Sequence, residues 1–227
     1  DRTVERLRDP ALRGRLEESL RETRPEADWA ERVLIADCTL PQNRRLAGLT
    51  LAQLASERGG DPLSAALDLL VEEKTCVDAI YFGMNEENLK RIYRLPYVAV
   101  ASDSSVRGIS SDDAAKPHPR TFGTPARFLG TYVRDKALMS LGEGIRRLTR
   151  LPAEILGWRR RGRLEVGALA DVTVFDPCEI ADRSTYQAPA AAPAGICHVL
   201  VNGEFVVRDG RHTGAKPGRI LRRGDDT

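Results

Sequence analysis

Asp103 is the residue in this chain best placed to do chemistry. It ends the run Tyr97-Val-Ala-Val-Ala-Ser-Asp103, which is apolar and rich in β-branched valine. Such a run, bounded by polar residues, reads as a strand buried on both faces. Helical patterns flank it on either side, which favours a parallel α/β sheet or barrel. In barrels of that kind the C-terminal ends of the strands point into the active site. Asp103 would then be a carboxylate delivered to the floor of a pocket by a rigid element. On this stretch alone an aspartate capping the next turn is an equal reading.

Other candidates are fewer. The chain holds only His118, His198 and His212, none in a His-x-His arrangement. His118 sits between Pro117 and Pro119 and reads as a turn-fixing hydrogen-bonding group. His198 lies within an alternating strand pattern and reads as structural. Tyr81 and Met84 lie at the close of the apolar stretch that begins at Val77, where they would pack in the core. Ile35 would touch a substrate or pack in the core. Arg107, Lys116 and Arg120 lie on a long polar connection and are either solvated charges or binders of a substrate carboxylate. Arg159-Arg160-Arg161 reads as a solvated linker rather than a nucleic-acid site. Cys38 has no histidine near it in sequence, which argues against a nucleophile.

The elements that must position these residues follow from punctuation. Asp9-Pro10 starts a helix that places Leu12, Leu16 and Leu20 on one face, with Pro25 as its stop. Residues 29–36 read as a strand and 37–49 as a loop. Thr50-Leu-Ala-Gln53 is a capping box, with Gly59-Gly60 ending its helix. Asp61-Pro62 opens the next helix, whose apolar stripe is Leu63, Ala66, Leu67, Leu70 and Val71. A strand over 77–82, a helix capped by Asn85 and the Asp103 strand form one βα unit and the strand after it. The connection 106–121 is long enough to be functional. Thr124-Pro125 starts a helix with Phe128, Leu129, Tyr132 and Val133 on its buried side. Ser140-Leu-Gly-Glu143 is a second capping box, and Pro152 begins a short helix. Beyond Leu156 the pattern turns to β, with two strands around Asn202-Gly203, a type I′ hairpin signal. The last residues, from Arg222 to Thr227, form a charged tail.

Composition narrows the classes. The 227 residues are 41% hydrophobic, enough for a core, and the net charge of +2 implies no broad field for nucleic acid. No apolar run approaches the roughly 20 residues of a membrane span. Four cysteines without CxxC spacing fit reduced thiols in a cytoplasmic protein. The chain opens without methionine, so a fragment or processed piece is the expectation.

Three stretches carry a family resemblance. Ser140-Leu-Gly-Glu-Gly-Ile-Arg-Arg-Leu-Thr-Arg-Leu-Pro-Ala-Glu-Ile-Leu-Gly157 resembles the last barrel helices of the amidohydrolase superfamily. Gly162-Arg-Leu-Glu-Val-Gly-Ala-Leu-Ala-Asp-Val-Thr-Val-Phe-Asp176 is similar to that superfamily's return into a small β domain. Ala181 to Tyr186, the stretch up to Gly203, Thr213 to Arg222 and Pro117-His-Pro-Arg-Thr-Phe-Gly123 resemble the N-acyl-D-amino-acid deacylases, or D-aminoacylases. The fold this implies is α/β: the C-terminal part of a TIM-like (β/α)8 barrel plus a small β-sandwich. Residues 1–156 would belong to the barrel, with 24–76 an insertion over the site, and 157–227 to the β domain.

The resemblance also implies a reaction. A zinc-dependent deacylase cleaves the amide of an N-acyl-D-amino acid to a carboxylate and a free D-amino acid. Zinc can bring the pKa of water down to about 7 and polarise a carbonyl, while a neighbouring carboxylate moves the proton. Asp103 would be both that carboxylate and a metal ligand, and Tyr81 and Met84 would line the acyl side-chain pocket. The family's other ligands are a His-x-His pair, a cysteine and two histidines on earlier strands. This chain lacks them, and catalytic zinc usually has three protein ligands. The expectation is a chain inactive alone that needs the missing N-terminal half of the barrel. A cyclic amidase of the dihydroorotase or hydantoinase type and a non-catalytic interaction module are the alternatives.

Overall fold

The computed structural model describes residues 2–23, 27–108 and 116–222. Pro25, much of the 106–121 connection and nearly all of the charged tail therefore lie outside the described residues. The chain divides into two compact units. The first comprises 1–84, 110–118 and 186–190, and the second comprises 85–109, 119–185 and 191–227.

The first unit is a two-stranded antiparallel ribbon carrying helices. It contains α1 (Arg2–Arg8), α2 (Pro10–Thr23), β1 (Val33–Cys38), a 3-10 turn (Pro41–Leu46), α3 (Leu51–Arg58), α4 (Pro62–Glu72) and β2 (Val77–Tyr81). The two strands run from Val33 opposite Tyr81 to Cys38 opposite Val77, with a register slip between Ile35 and Asp37. Side chains alternate across a strand, and both faces of β1 are covered. Ile35 faces a core of Leu46, Leu54, Ala65 and Leu69. Leu34 and Ala36 face Ile80, Phe82 and Tyr186.

The expected caps form. Thr50 Oγ1 accepts from the Gln53 N–H at 3.2 Å, and Gln53 Oε1 accepts from the Thr50 N–H at 2.9 Å. Gly59, at φ +72°, ends α3 in the left-handed conformation that glycine adopts without penalty. Asp61 accepts from the Ser64 N–H to start α4. The leucine face of α2 is a correction. Only Leu20 joins the cluster around Leu7, Leu63 and Leu67, and Leu12 and Leu16 are 43% and 38% exposed.

The second unit contains α5 (Glu86–Tyr93), α6 (Arg120–Arg127), a π-helical segment (Phe128–Asp135), α7 (Leu141–Leu148) and α8 (Arg150–Ile155). It also contains β3 (Val172–Phe175), β4 (Ile196–Val201), β5 (Glu204–Arg208) and β6 (Arg211–His212). Its core is Ala126, Phe128, Leu129, Tyr132, Val133 and Ile180, with Leu89 and Tyr93 of α5 and Val100 packed against it. The four strands form one antiparallel meander in sequence order. Asn202 (φ +49°) and Gly203 (φ +85°) make the β4–β5 turn, both left-handed as a type I′ hairpin requires.

Several sequence expectations change here. No closed barrel is present among the described residues, and every ladder is antiparallel rather than parallel. The run 97–102 is not a strand. A strand needs a neighbour to accept its N–H groups, and none of the described strands pairs with it. The Val100 N–H instead donates to the Arg147 carbonyl at 3.2 Å. The α6 helix starts at Arg120, so Pro125 falls inside it rather than at its start. With no N–H, proline removes one helical hydrogen bond, and the chain widens into the π-helical segment directly after α6. The Ser140 box is half formed: its hydroxyl accepts from the Glu143 N–H, but the Glu143 carboxylate turns to Arg146 and Arg147.

Candidate functional site

Asp103 and Arg120 meet in the second unit. Asp103 follows the 97–102 run, and Arg120 is the first residue of α6. Arg120 Nη2 lies 3.1 Å from Asp103 Oδ2, with the aspartate side chain 89% exposed and the arginine 44%. A second tie lies beside the first, where the hydroxyls of Ser104 and Thr121 are 2.7 Å apart. Asp103 has φ +50°, in the left-handed region that few residues other than glycine enter. Aspartate tolerates it better than most, and strained backbone of this kind gathers at functional sites.

The surroundings of Asp103 are open. Its side chain is at the surface rather than on the floor of a pocket, which corrects the picture of a buried strand end. A small cavity of about 120 Å³ is lined by Asp37, Thr39, Cys76 and Asp78 in the first unit. A wider one runs along Arg163 to Val172 in the second. Neither includes Asp103.

Tyr81 and Met84 belong to the first unit and are 66% and 84% exposed. Packing in the core is therefore not their role. Ile35 is a core residue at 1% exposure. His118 Nε2 lies 3.3 Å from the Tyr186 hydroxyl, and the two rings meet edge to face, a contact far along the chain rather than within the local turn expected of it. His198 Nδ1 accepts from the Asp209 N–H at 3.1 Å and is structural. Cys38 is buried, and that burial, with Glu73 and Asp37 nearby, pushes its thiol up to about 11, which leaves it a poor nucleophile. Lys116 gives its N–H to the Ala36 carbonyl at 2.8 Å, and Arg107 is exposed. Arg161 corrects the linker reading: it is buried, paired with Asp171, and donates to Asn202 Oδ1 at 3.0 Å.

Sequence reasoning passed over Arg147. It is 3% exposed and touches the segment leading to Asp103. The available signal was the Glu143–Arg147 spacing, a helical i, i+4 pair.

Among the described residues no group of three or more His, Cys, Asp and Glu side chains is placed to hold a metal ion. Asp103 is one acidic donor facing an arginine, so these residues do not by themselves fit a catalytic zinc centre. No described helix is long and apolar enough to cross a membrane.

The chain belongs to the amidohydrolase family, whose sequence pattern matches residues 7–207. It is 44% identical over 176 residues to the N-acyl-D-glutamate deacylase of Alcaligenes xylosoxydans xylosoxydans, covering 78% of this chain and 34% of that protein. A crystal structure of D-aminoacylase matches with a TM-score of 0.72 and 37% identity, over 86% of this chain and 38% of that one. The N-acyl-D-glutamate deacylase of Bordetella bronchiseptica, solved with zinc and a phosphonate mimic of the tetrahedral intermediate, matches with a TM-score of 0.68 and 40% identity. That match covers 82% of this chain and 38% of the enzyme. The chain thus spans little more than a third of the length of these relatives.

Proposed function

We infer that the complete protein carrying this chain is a divalent-metal-dependent deacylase. It would cleave N-acyl-D-amino acids to a carboxylate and a free D-amino acid, with zinc as the metal. The observation that carries the reading is the 44% identity to an N-acyl-D-glutamate deacylase across 78% of this chain. The likeness to an enzyme solved with zinc and a tetrahedral-intermediate mimic supports it. Residues 1–156 are then read as the closing part of a TIM-like barrel, 24–76 as an insertion over the site, and 157–227 as the β domain. The location is read as cytoplasmic.

Within this reading Asp103 is the carboxylate that moves the proton from attacking water to leaving nitrogen. Arg120 beside it is a cation for the substrate's carboxylate, since guanidinium pairs well with such groups. Tyr81 and Met84 line the acyl side-chain pocket; their exposure leaves their apolar surface available for it. The described residues hold no metal site, so activity requires the remainder of the relatives' length.

The test is substrate release. The complete protein, supplied with zinc, is assayed on N-acetyl-D-glutamate, N-acetyl-D-leucine, their L-enantiomers and a cyclic ureide. Free D-amino acid from the D-substrates alone is expected. Opening of the ureide without release of amino acid from the N-acetyl substrates would reassign the protein to the cyclic amidases.

A further inference from the structure

We propose that Arg147 is a positioning residue for Asp103, and that α7, not a sheet, holds the aspartate's segment in place. The inference rests on the reading of Asp103 given above. Arg147 Nη1 donates to the Tyr93 carbonyl at 2.7 Å and to the Leu95 carbonyl at 2.6 Å, with the Val98 carbonyl 3.5 Å away. Tyr93 is the last residue of α5, so its carbonyl has no partner within that helix. A buried cation at a helix C-terminus also suits the helix dipole.

The clamp closes in the other direction through the backbone. Arg147 lies in the last turn of α7, where its carbonyl is free of helical bonding, and it accepts the Val100 N–H at 3.2 Å. One residue therefore grips the chain before Val100 with its guanidinium and at Val100 with its carbonyl. From there to Asp103 is at most about 10 Å of chain. Arg147 Nε donates to Glu143 Oε1 at 2.8 Å, which fixes the rotamer of the guanidinium. Glu143 also takes Arg146, whose Nη2 donates to the Pro96 carbonyl at 2.7 Å. Two adjacent arginines and one carboxylate thus tie down 93–100. No described strand pairs with this run, so the clamp sets where the aspartate stands. A displacement of about 1 Å at a reacting group can lower a rate about 100-fold.

The experiment compares wild type, Arg147→Gln and Arg147→Lys in the complete protein, with Asp103→Ala run alongside. Amide exchange at Val100 is read against that of Leu54 in the other unit, and kcat and KM are measured per folded molecule. Arg147→Gln should speed exchange at Val100 at least about tenfold while leaving Leu54 unchanged. It should lower kcat by about 10- to 100-fold with KM within about threefold. Arg147→Lys, which keeps the charge but not the forked donors, should recover part of both. An arginine that served stability alone would lower the amount of folded enzyme and leave kcat per folded molecule intact. That result, or unchanged exchange at Val100, overturns the proposal. If Arg147→Gln does not fold, the same two readouts on Arg147→Lys decide it. Full activity in Asp103→Ala would instead remove the catalytic reading of the aspartate, and the exchange data would still decide whether Arg147 holds the segment.

Discussion

Asp103 Oδ2 stands 3.1 Å from Arg120 Nη2, so the two ends of the 104–119 connection are joined by an ion pair. The hydroxyl contact between Ser104 and Thr121 repeats the join one residue further on. The aspartate is exposed and left-handed, a combination in which backbone and side chain make opposite demands. Glycine would suit the backbone better, while the carboxylate is what the proposed reaction needs. Asp103→Gly in the complete protein should therefore leave stability within about 1 kcal/mol of wild type, with relief at φ offsetting the lost surface pair. The same substitution should lower kcat at least about 100-fold. Thermal unfolding and deacylase assays check both halves, and a variant that keeps most of its turnover would remove Asp103 from the mechanism.

Arg120 separates structure from recognition. Its pair with Asp103 is largely solvated, and such pairs contribute about 0–1 kcal/mol. Arg120→Ala should scarcely move the unfolding midpoint. If the guanidinium takes the substrate's carboxylate, KM should rise at least about tenfold, the loss of one charge-assisted contact. A steady-state comparison of N-acetyl-D-glutamate with its amide would locate the effect. An unchanged KM on both would remove Arg120 from substrate recognition.

Acid should release α7 from the 93–100 segment. The Arg146 guanidinium first, and that of Arg147 second, hold the Glu143 carboxyl down at about 2, against an ordinary value of 4.5. A carboxylate depressed in the folded state adds stability above its unfolded pKa and loses it as pH falls through the folded one. That contribution is complete above about pH 4.5 and fades towards pH 2. Val100 amide protection should persist at pH 4 to 5 and decline below that, and Glu143→Gln should lack this limb. Superimposable acid profiles for the two proteins would show that the decline comes from other carboxylates.

Glu73 is a buried carboxylate with a purely structural assignment. It accepts from the Thr39 N–H at 2.8 Å, the Thr39 hydroxyl at 2.6 Å, the Leu40 N–H at 3.0 Å and Asn43 Nδ2 at 2.8 Å. Burial pushes its pKa up, yet these hydrogen bonds outweigh burial and the net direction is down. Glu73→Ala leaves several donors unpaired at about 1–3 kcal/mol each. A loss of at least about 2 kcal/mol in urea unfolding is expected, and a loss under about 0.5 kcal/mol would mean that water replaces the carboxylate.

Local chemistry was readable from the sequence, and long-range pairing was not. The Thr50 box, the Asp61 and Asn85 caps and the Asn202-Gly203 turn each depend on a few adjacent residues, and each forms. The run 97–102 had the composition of a strand, but composition does not supply the neighbour that a ladder requires. Arg161 sat in a basic triplet that looked solvated, and its burial depends on Asp171 and Asn202, the latter far along the chain. Arg147 was hidden for the same reason, since its acceptors are carbonyls in 93–98 that leave no mark in residue identity. Asp103 stood out as a candidate because a polar residue ending an apolar run is itself a local signal. Its exposure and its tie to Arg120 were not.

The first unit is stitched from separate lengths of gene. Tyr186 covers the Leu34, Ala36 and Ile80 face and stacks edge to face on Phe82 at 4.7 Å, yet it is encoded more than a hundred codons downstream of all of them. Expressing residues 1–84 by themselves would strip that cover and present bare aliphatic surface to solvent, a recipe for precipitation. For the same reason a protease nick between the two lengths need not separate them, and a recombination event in that interval would have to preserve both sides at once.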